Sequence, residues 1–221
     1  MPPTYEPTHP TELAVDAESL PPAATETATF GMGCFWGPDA RFGAMPGVVR
    51  TRVGYAGGTE PAPSYYSLGD HTEVVQVEYD PDAVSYAALL DVFWANHAPF
   101  SASRKRQYRA VVLAHDDHQR EVAERTRAAL ESRTGKSVET AIETLDRFYL
   151  AEAYHQKYEL RSTPVVADEL EESYGDAFVD STVAARLNGF VAGHGDRDER
   201  EALFAELALS PAALSEVRRR L

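Results

Sequence analysis

The chain is poor in thiols and in lysine. Its 221 residues contain a single cysteine, Cys34. One thiol excludes an internal disulfide and any multi-thiolate metal site, and it fits a reducing compartment. Lysine occurs only at Lys105, Lys136 and Lys157 among 21 basic residues, against 35 acidic ones, so the formal net charge is −14. A surface of that sign repels phosphate backbones and argues against nucleic-acid binding. It suits a salt-rich cytoplasm, where dissolved ions screen self-repulsion. Compositional drift toward arginine explains the scarcity of lysine equally well. No apolar run approaches the ~18 residues of a membrane span. The opening MPPTYEPTHPTELAVDAESLPPAATE lacks the basic and apolar regions of a secretory signal. The expectation is a cytoplasmic monomer that uses no cofactor, metal, nucleic acid or membrane.

Hydrophobic residues make up 43% of the chain, enough for a sizeable core. Residues 1–25, rich in Pro, Glu and Thr, read as a mobile N-terminal extension. Beyond them TETATFGMG predicts a strand, FWGPDARFGAM a helix, GVVRTRVGYAGG and EVVQVEYDP two strands around a loop, and SYAALLDVFWANH a helix with Ser85 as its cap. RQYRAVVLAH predicts a strand. DDHQREVAERTRAALESRTG predicts a long helix ended by Gly135, and VETAIETLD a last strand. The order β-α-β-β-α-β, then α-β, predicts an α+β fold: an antiparallel-containing sheet with helices packed against it, in a split β-α-β, ferredoxin-like core. Past residue 150 the pattern turns helical, through AEAYHQKYEL, VADELEESYG, VDSTVAARLNGF, REALFAEL and SPAALSEVRRRL. This divides the chain into an extension (1–25), a catalytic domain (26–160) and a C-terminal helical extension packed on the core (161–221).

Cys34 lies in GMGCFWGPDARFG, between a strand ending in glycine and a predicted helix start. The first-turn N–H groups and the helix dipole favour an anion there, and a helix N-terminus can lower a thiol pKa from its ordinary ~8.5. Gly31 and Gly33 leave room for a ligand to approach the backbone. Phe35 and Trp36 supply an aromatic wall suited to a small apolar group such as a methyl. The competing reading is an inert buried thiol, which needs neither the flanking glycines nor the Phe-Trp pair.

Gly33-Cys34-Phe35-Trp36-Gly37 resembles the active-site signature of class A peptide-methionine sulfoxide reductases. The resemblance continues in order through Pro46-Gly47-Val48, Gly54-Tyr55-Ala56-Gly57-Gly58, Pro63-Ser64-Tyr65, His71-Thr72-Glu73-Val74-Val75, Tyr79-Asp80-Pro81, Gln107-Tyr108-Arg109 and Ala151-Glu152-Ala153-Tyr154-His155-Gln156. LNGFVAG near 187–193 resembles the C-terminal helical extension of one branch of that family. The resemblance implies a two-layer α/β sandwich and reduction of methionine sulfoxide, in proteins or free, with selectivity for the S epimer. It implies catalytic roles for Cys34, as thiolate nucleophile, and Glu73, as the acid that protonates the sulfoxide oxygen. It implies substrate-binding roles for Phe35 and Trp36 around the methyl group and for Tyr65 and Tyr108 at the oxygen. The products would be methionine and a Cys34 sulfenic acid.

Two departures from the pattern bear on function. His97-Ala98-Pro99-Phe100 stands where the family commonly has His-Asp-Pro-Thr, and Ser103 stands where it commonly has an Asp that orders the active-site hydrogen bonds. Arg104, Lys105 and Arg106 follow, as a solvated turn or as partners for an acidic substrate segment. The chain also has no second cysteine to resolve a sulfenic acid, so an external thiol, thioredoxin or a low-molecular-weight thiol, is the expected reductant. Competing functions are a cysteine hydrolase using His71 or His97 as base, and a binding module without turnover. His155 reads as structural.

Overall fold

The computed structural model describes residues 25–207 and 209–220. The predicted N-terminal extension, Thr25 apart, lies outside the described residues. Six strands form one sheet: β1 (Glu26–Met32), β2 (Val48–Ala56), β3 (Thr72–Tyr79), β4 (Ala110–Ala114), β5 (Ala141–Thr144) and β6 (Phe148–Leu150), in the order β5-β4-β1-β3-β2-β6. All neighbours run antiparallel except β4 and β5. Helix α1 (Trp36–Gly43) follows β1, α2 (Tyr86–Ala95) follows β3, and α3 (Asp117–Thr134) follows β4.

Strand alternation sorts the apolar residues onto two faces. Ala28, Phe30, Val75, Val77 and Val112 face a core closed by Phe42 of α1, Leu89, Leu90 and Phe93 of α2, and Val122 of α3. The other face carries Val74, Val111 and Leu113 under Phe148 and Leu145. The helix ends follow local chemistry. The Ser85 hydroxyl accepts the Ala88 N–H at 3.2 Å, and the Asp116 carboxylate accepts that of Gln119 at 2.8 Å. Gly135 ends α3 at φ 67°, a left-handed conformation that glycine adopts without strain.

The C-terminal helices α4 (Tyr158–Arg161), α5 (Pro164–Tyr174), α6 (Thr182–Val191), α7 (Arg197–Glu206) and α8 (Pro211–Arg220) enclose a second core around Leu160, Leu170, Leu187, Phe190 and Leu203. That core reaches Ala44 at the end of α1. Here α6 crosses α1 backbone to backbone. A Cβ on Gly189 would stand 2.4 Å from the Ala40 carbonyl oxygen, and one on Gly43 2.4 Å from that of Ala185. The C-terminal helices therefore rest directly on the helix that follows Cys34.

Two sequence expectations need correction. Strand β6 was not among the predicted elements, and AEAYHQKYEL does not form a helix. A 3-10 turn covers Ala153–His155, Lys157 adopts φ 53°, and only Tyr158–Arg161 is helical. The reason is tertiary. The Gln156 amide donates to the carbonyls of Val53 (2.8 Å) and Ala151 (3.0 Å) and accepts the Val53 N–H at 3.0 Å, extending the edge of β2. Lys157 is fully buried. Its Nζ donates to the Thr51 carbonyl at 2.6 Å and to Asp39 Oδ1 at 3.3 Å, and its N–H donates to Asp39 Oδ2 at 3.2 Å. Asn188 of α6 donates to the same carboxylate at 3.1 Å. One buried carboxylate in the first turn of α1 thus ties together β2, the 151–161 segment and the C-terminal helices.

Candidate active site

Cys34 sits in the turn between β1, at the centre of the sheet, and α1. Gly33 leaves the strand at φ 91°, a conformation that disfavours any side chain, and a Cβ there would meet nothing within 4 Å. Gly31 is needed for packing instead: its Cβ would lie 2.8 Å from a Val111 methyl. The Cys34 residue is exposed, as a nucleophile requires.

Glu73 arrives from β3, where it pairs across the ladder with Tyr55. It is 1% exposed, which excludes a solvated edge charge. Its carboxyl accepts the Phe35 N–H at 3.2 Å and the Gln107 side-chain amide at 2.7 Å. Burial pushes the Glu73 pKa up, against the lowering effect of those two donors. A neutral carboxylic acid beside the thiol is the favoured direction.

The thiol itself departs from the sequence expectation. Its pKa is raised, not lowered. Partial burial of the sulfur is the largest cause, and the Glu73 and Glu159 carboxylates add to it. The Trp36 N–H of the helix start pulls the other way and is outweighed. The helix terminus was legible in the sequence; the partial burial of the sulfur was not.

Phe35 and Trp36 form the expected wall. Phe35 is 1% exposed, packed with Val53, Tyr55 and Ala151. Trp36 stacks on Tyr158 with centroids 3.7 Å apart and planes 4° from parallel. Its indole N–H donates to His155 Nδ1 at 3.3 Å. That bond requires a neutral His155 with its proton on Nε2, and burial lowers the His155 pKa accordingly. The Nε2 atom has no hydrogen-bond partner and lies 4.0 Å from Glu152 Oε2.

Tyr65 and Tyr108 approach the same point from different loops. The Tyr108 phenol is raised by burial, by Glu73 and Tyr65, and by Cys34, so these groups lie together. The Tyr65 ring lies 4.8 Å from that of His155, and its N–H donates to Glu152 at 2.9 Å. Glu152 also accepts the Tyr55 hydroxyl at 2.7 Å. All six expected site residues therefore converge.

Sequence reasoning assigned no role to Gln107, Glu152 or Lys157, although the first two lie inside the quoted Gln107-Tyr108-Arg109 and Ala151–Gln156 segments. The Ser103 hydroxyl interacts with the backbone of Lys105, at 3.0 and 3.3 Å, and Gln107 supplies the donor that reaches Glu73. Neither candidate hydrolytic base, His71 or His97, is hydrogen-bonded to Cys34. His71 Nε2 meets the Glu60 carbonyl at 2.8 Å, and His97 lies between the Phe93 carbonyl and the Thr140 hydroxyl. Among the described residues, no group of three or more His, Cys, Asp or Glu side chains could hold a metal, and no helix is long and apolar enough to cross a membrane.

Residues 26–184 match the sequence profile described as "PMSR: Peptide methionine sulfoxide reductase". A Drosophila melanogaster relative named peptide methionine sulfoxide reductase is 44% identical over 187 residues, 84% of this chain and 76% of its own length. The peptide methionine sulfoxide reductase MsrA of Methanothermobacter thermautotrophicus is 47% identical over 144 residues, 60% of this chain and 85% of that protein. Among solved structures, reduced Mxr1 from Saccharomyces cerevisiae superposes with a TM-score of 0.60 at 31% identity, covering 65% of this chain and 88% of that one. Methionine sulfoxide reductase A of Corynebacterium diphtheriae superposes at 0.56 with 32% identity, covering 65% and 77%.

Proposed function

The chain belongs to the peptide methionine sulfoxide reductase family, oxidoreductases that reduce methionine sulfoxide, and on that premise we propose that it acts on the S epimer, in proteins and as the free amino acid, with Cys34 as nucleophile and Glu73 as acid. The carrying observation is the buried Glu73 carboxyl, anchored to the Phe35 N–H beside an exposed thiol.

The substrate methyl lies against Phe35 and Trp36, held in place by Tyr158 and His155. The sulfoxide oxygen takes hydrogen bonds from Tyr65 and Tyr108. The Cys34 thiolate attacks the sulfur while Glu73 gives its proton to the oxygen, which makes the sulfur a better electrophile and stabilises the developing charge. Acid catalysis of this kind is worth ~10² to 10⁴-fold. The two groups assist each other. A neutral Glu73 removes the repulsion that raises the thiol, so a thiolate beside a carboxylic acid is favoured over two adjacent anions. The substrate sulfur gains two electrons and leaves as methionine. Cys34 loses two: the S–S bond formed by the attack breaks as the oxygen passes from the methionine sulfur to the cysteine sulfur, leaving a sulfenic acid.

With one cysteine in the sequence, reduction back to the thiol falls to an external thiol, thioredoxin or a low-molecular-weight thiol, through a mixed disulfide at Cys34. An epimer-resolved assay tests the reading: the S epimer is consumed, the R epimer is not, and Cys34→Ser abolishes turnover. Equal consumption of both epimers, or turnover by the Ser variant, overturns it.

A further inference from the structure

A second cavity lies beside the nucleophile's own backbone. It measures about 270 Å³ and is lined by Met32, Gly33, His97, Ser101, Ser103 and Tyr108 among others. Tyr108 belongs to the sulfoxide pocket and Gly33 precedes Cys34, so the cavity shares a wall with the reaction centre. Its outer rim, Ser101 to Ser103, is exposed, and the exposed Arg104 and Lys105 follow it directly in the chain.

The charge here runs against the rest of the molecule. Residues 92–115 contain Arg104, Lys105, Arg106 and Arg109 and no Asp or Glu, in a chain of net charge −14. Two of these four cations are committed. Arg106 donates to the Gly57 carbonyl at 2.7 Å, and Arg109 donates to Glu143 at 2.6 Å and to the Thr72 hydroxyl at 2.9 Å. Arg104 makes no hydrogen bond or ion pair among the described residues. Lys105 Nζ lies 6.0 Å from the centre of the Tyr108 ring, over the shared wall.

We propose that this cavity and the Arg104–Lys105 pair form the docking site for the reductant, a small thiol bearing carboxylate groups. The inference rests on the reductase reading above. A single cysteine means that two external thiol groups must act on one sulfur in every cycle, and with a small thiol they come from two molecules. The first forms an S–S bond with Cys34 as the S–O bond breaks, and the oxygen leaves as water with the thiol's proton. The second attacks the sulfur of the bound thiol, releasing Cys34 as a thiolate and the pair as a disulfide. In a chain of net charge −14 an anionic thiol is repelled on average, so two cations next to the cavity, without an ion pair among the described residues, concentrate it where it reacts.

The test uses the full chain, oxidised by one turnover with methionine sulfoxide. Loss of the Cys34 sulfenic acid is followed by stopped flow at low salt with glutathione, uncharged 2-mercaptoethanol and cationic cysteamine, each rate normalised to its thiolate concentration. Glutathione is expected to exceed cysteamine by about tenfold or more, a steering-sized effect that fades with added salt. The double variant R104E/K105E is expected to reverse that order, and R104Q/K105Q to abolish it. Methionine yield in the first turnover stays at one per enzyme in both variants, which shows that they fold and that the reductase reading stands. No methionine from the wild type would instead refute that reading. The docking proposal is overturned by equal glutathione and cysteamine rates in the wild type, or by an order that survives charge reversal. It is also overturned if the reversal alters KM for the sulfoxide but not the thiol rates, or if it slows thioredoxin alone, which would give the patch to a protein.

Discussion

The Glu73 carboxyl accepts the N–H of Phe35 at 3.2 Å, so the acid is fastened to the residue that follows the nucleophile. The anchor joins the start of β3 to the start of α1. It fixes where the proton is delivered relative to the sulfur.

Glu73→Gln keeps an acceptor for Phe35 and removes the proton. The kcat for S-sulfoxide reduction should fall by about 10² to 10⁴-fold with KM nearly unchanged, because the proton is needed in the transition state. The same change removes an anion that raises the Cys34 pKa. The midpoint of the Cys34 alkylation rate against pH should therefore move to lower pH. Iodoacetamide kinetics measure it; an upward shift would contradict the electrostatics.

His155→Phe removes the acceptor for the Trp36 indole while keeping the ring packing. KM should rise several-fold with a smaller change in kcat. In the wild type, protonation of His155 occupies the same lone pair. KM should therefore rise as pH falls through the His155 pKa, which lies below its ordinary value. The variant should lose that pH dependence. Steady-state kinetics between mildly acidic and neutral pH decide it.

Tyr65→Phe and Tyr108→Phe each remove one hydroxyl from the pair that faces Cys34. Each should lower kcat/KM, and the double variant should lose less than the product of the two, because the hydroxyls act on one oxygen and on each other. A double-mutant cycle tests it.

Lys157→Met leaves the Asp39 carboxylate buried with only Thr51, Asn188 and the residue 157 N–H as donors. Breaking a buried pair by removing one partner typically costs about 3–5 kcal/mol. Denaturant unfolding should show a loss of that size. Gly189→Ala drives a methyl against the Ala40 carbonyl and Ala44. It should cost about 1–3 kcal/mol and lower kcat, since the strain falls on α1.

The sequence carried much of this. The caps at Ser85 and Asp116 and the stop at Gly135 are local chemistry, so helices α2 and α3 formed where the residues predict them. The Cys34, Phe35 and Trp36 cluster was legible because it is contiguous. The later C-terminal helices were legible too, whereas the segment 151–160 was not. Its helical periodicity is real, but Lys157 bonds a carboxylate 118 positions earlier, and nothing nearby in the chain marks that partner. The thiol shows the same limit. Its place at a helix start could be read, whereas the direction of its pKa depends first on partial burial and then on Glu73 and Glu159, all of which only folding sets.

Single-turnover mass spectrometry tests the central claim most directly. The reduced chain is mixed with excess methionine S-sulfoxide and no reductant, then digested. One methionine per enzyme and one added oxygen on the Cys34 peptide are predicted. Full methionine release with an unoxidised Cys34 would contradict the account.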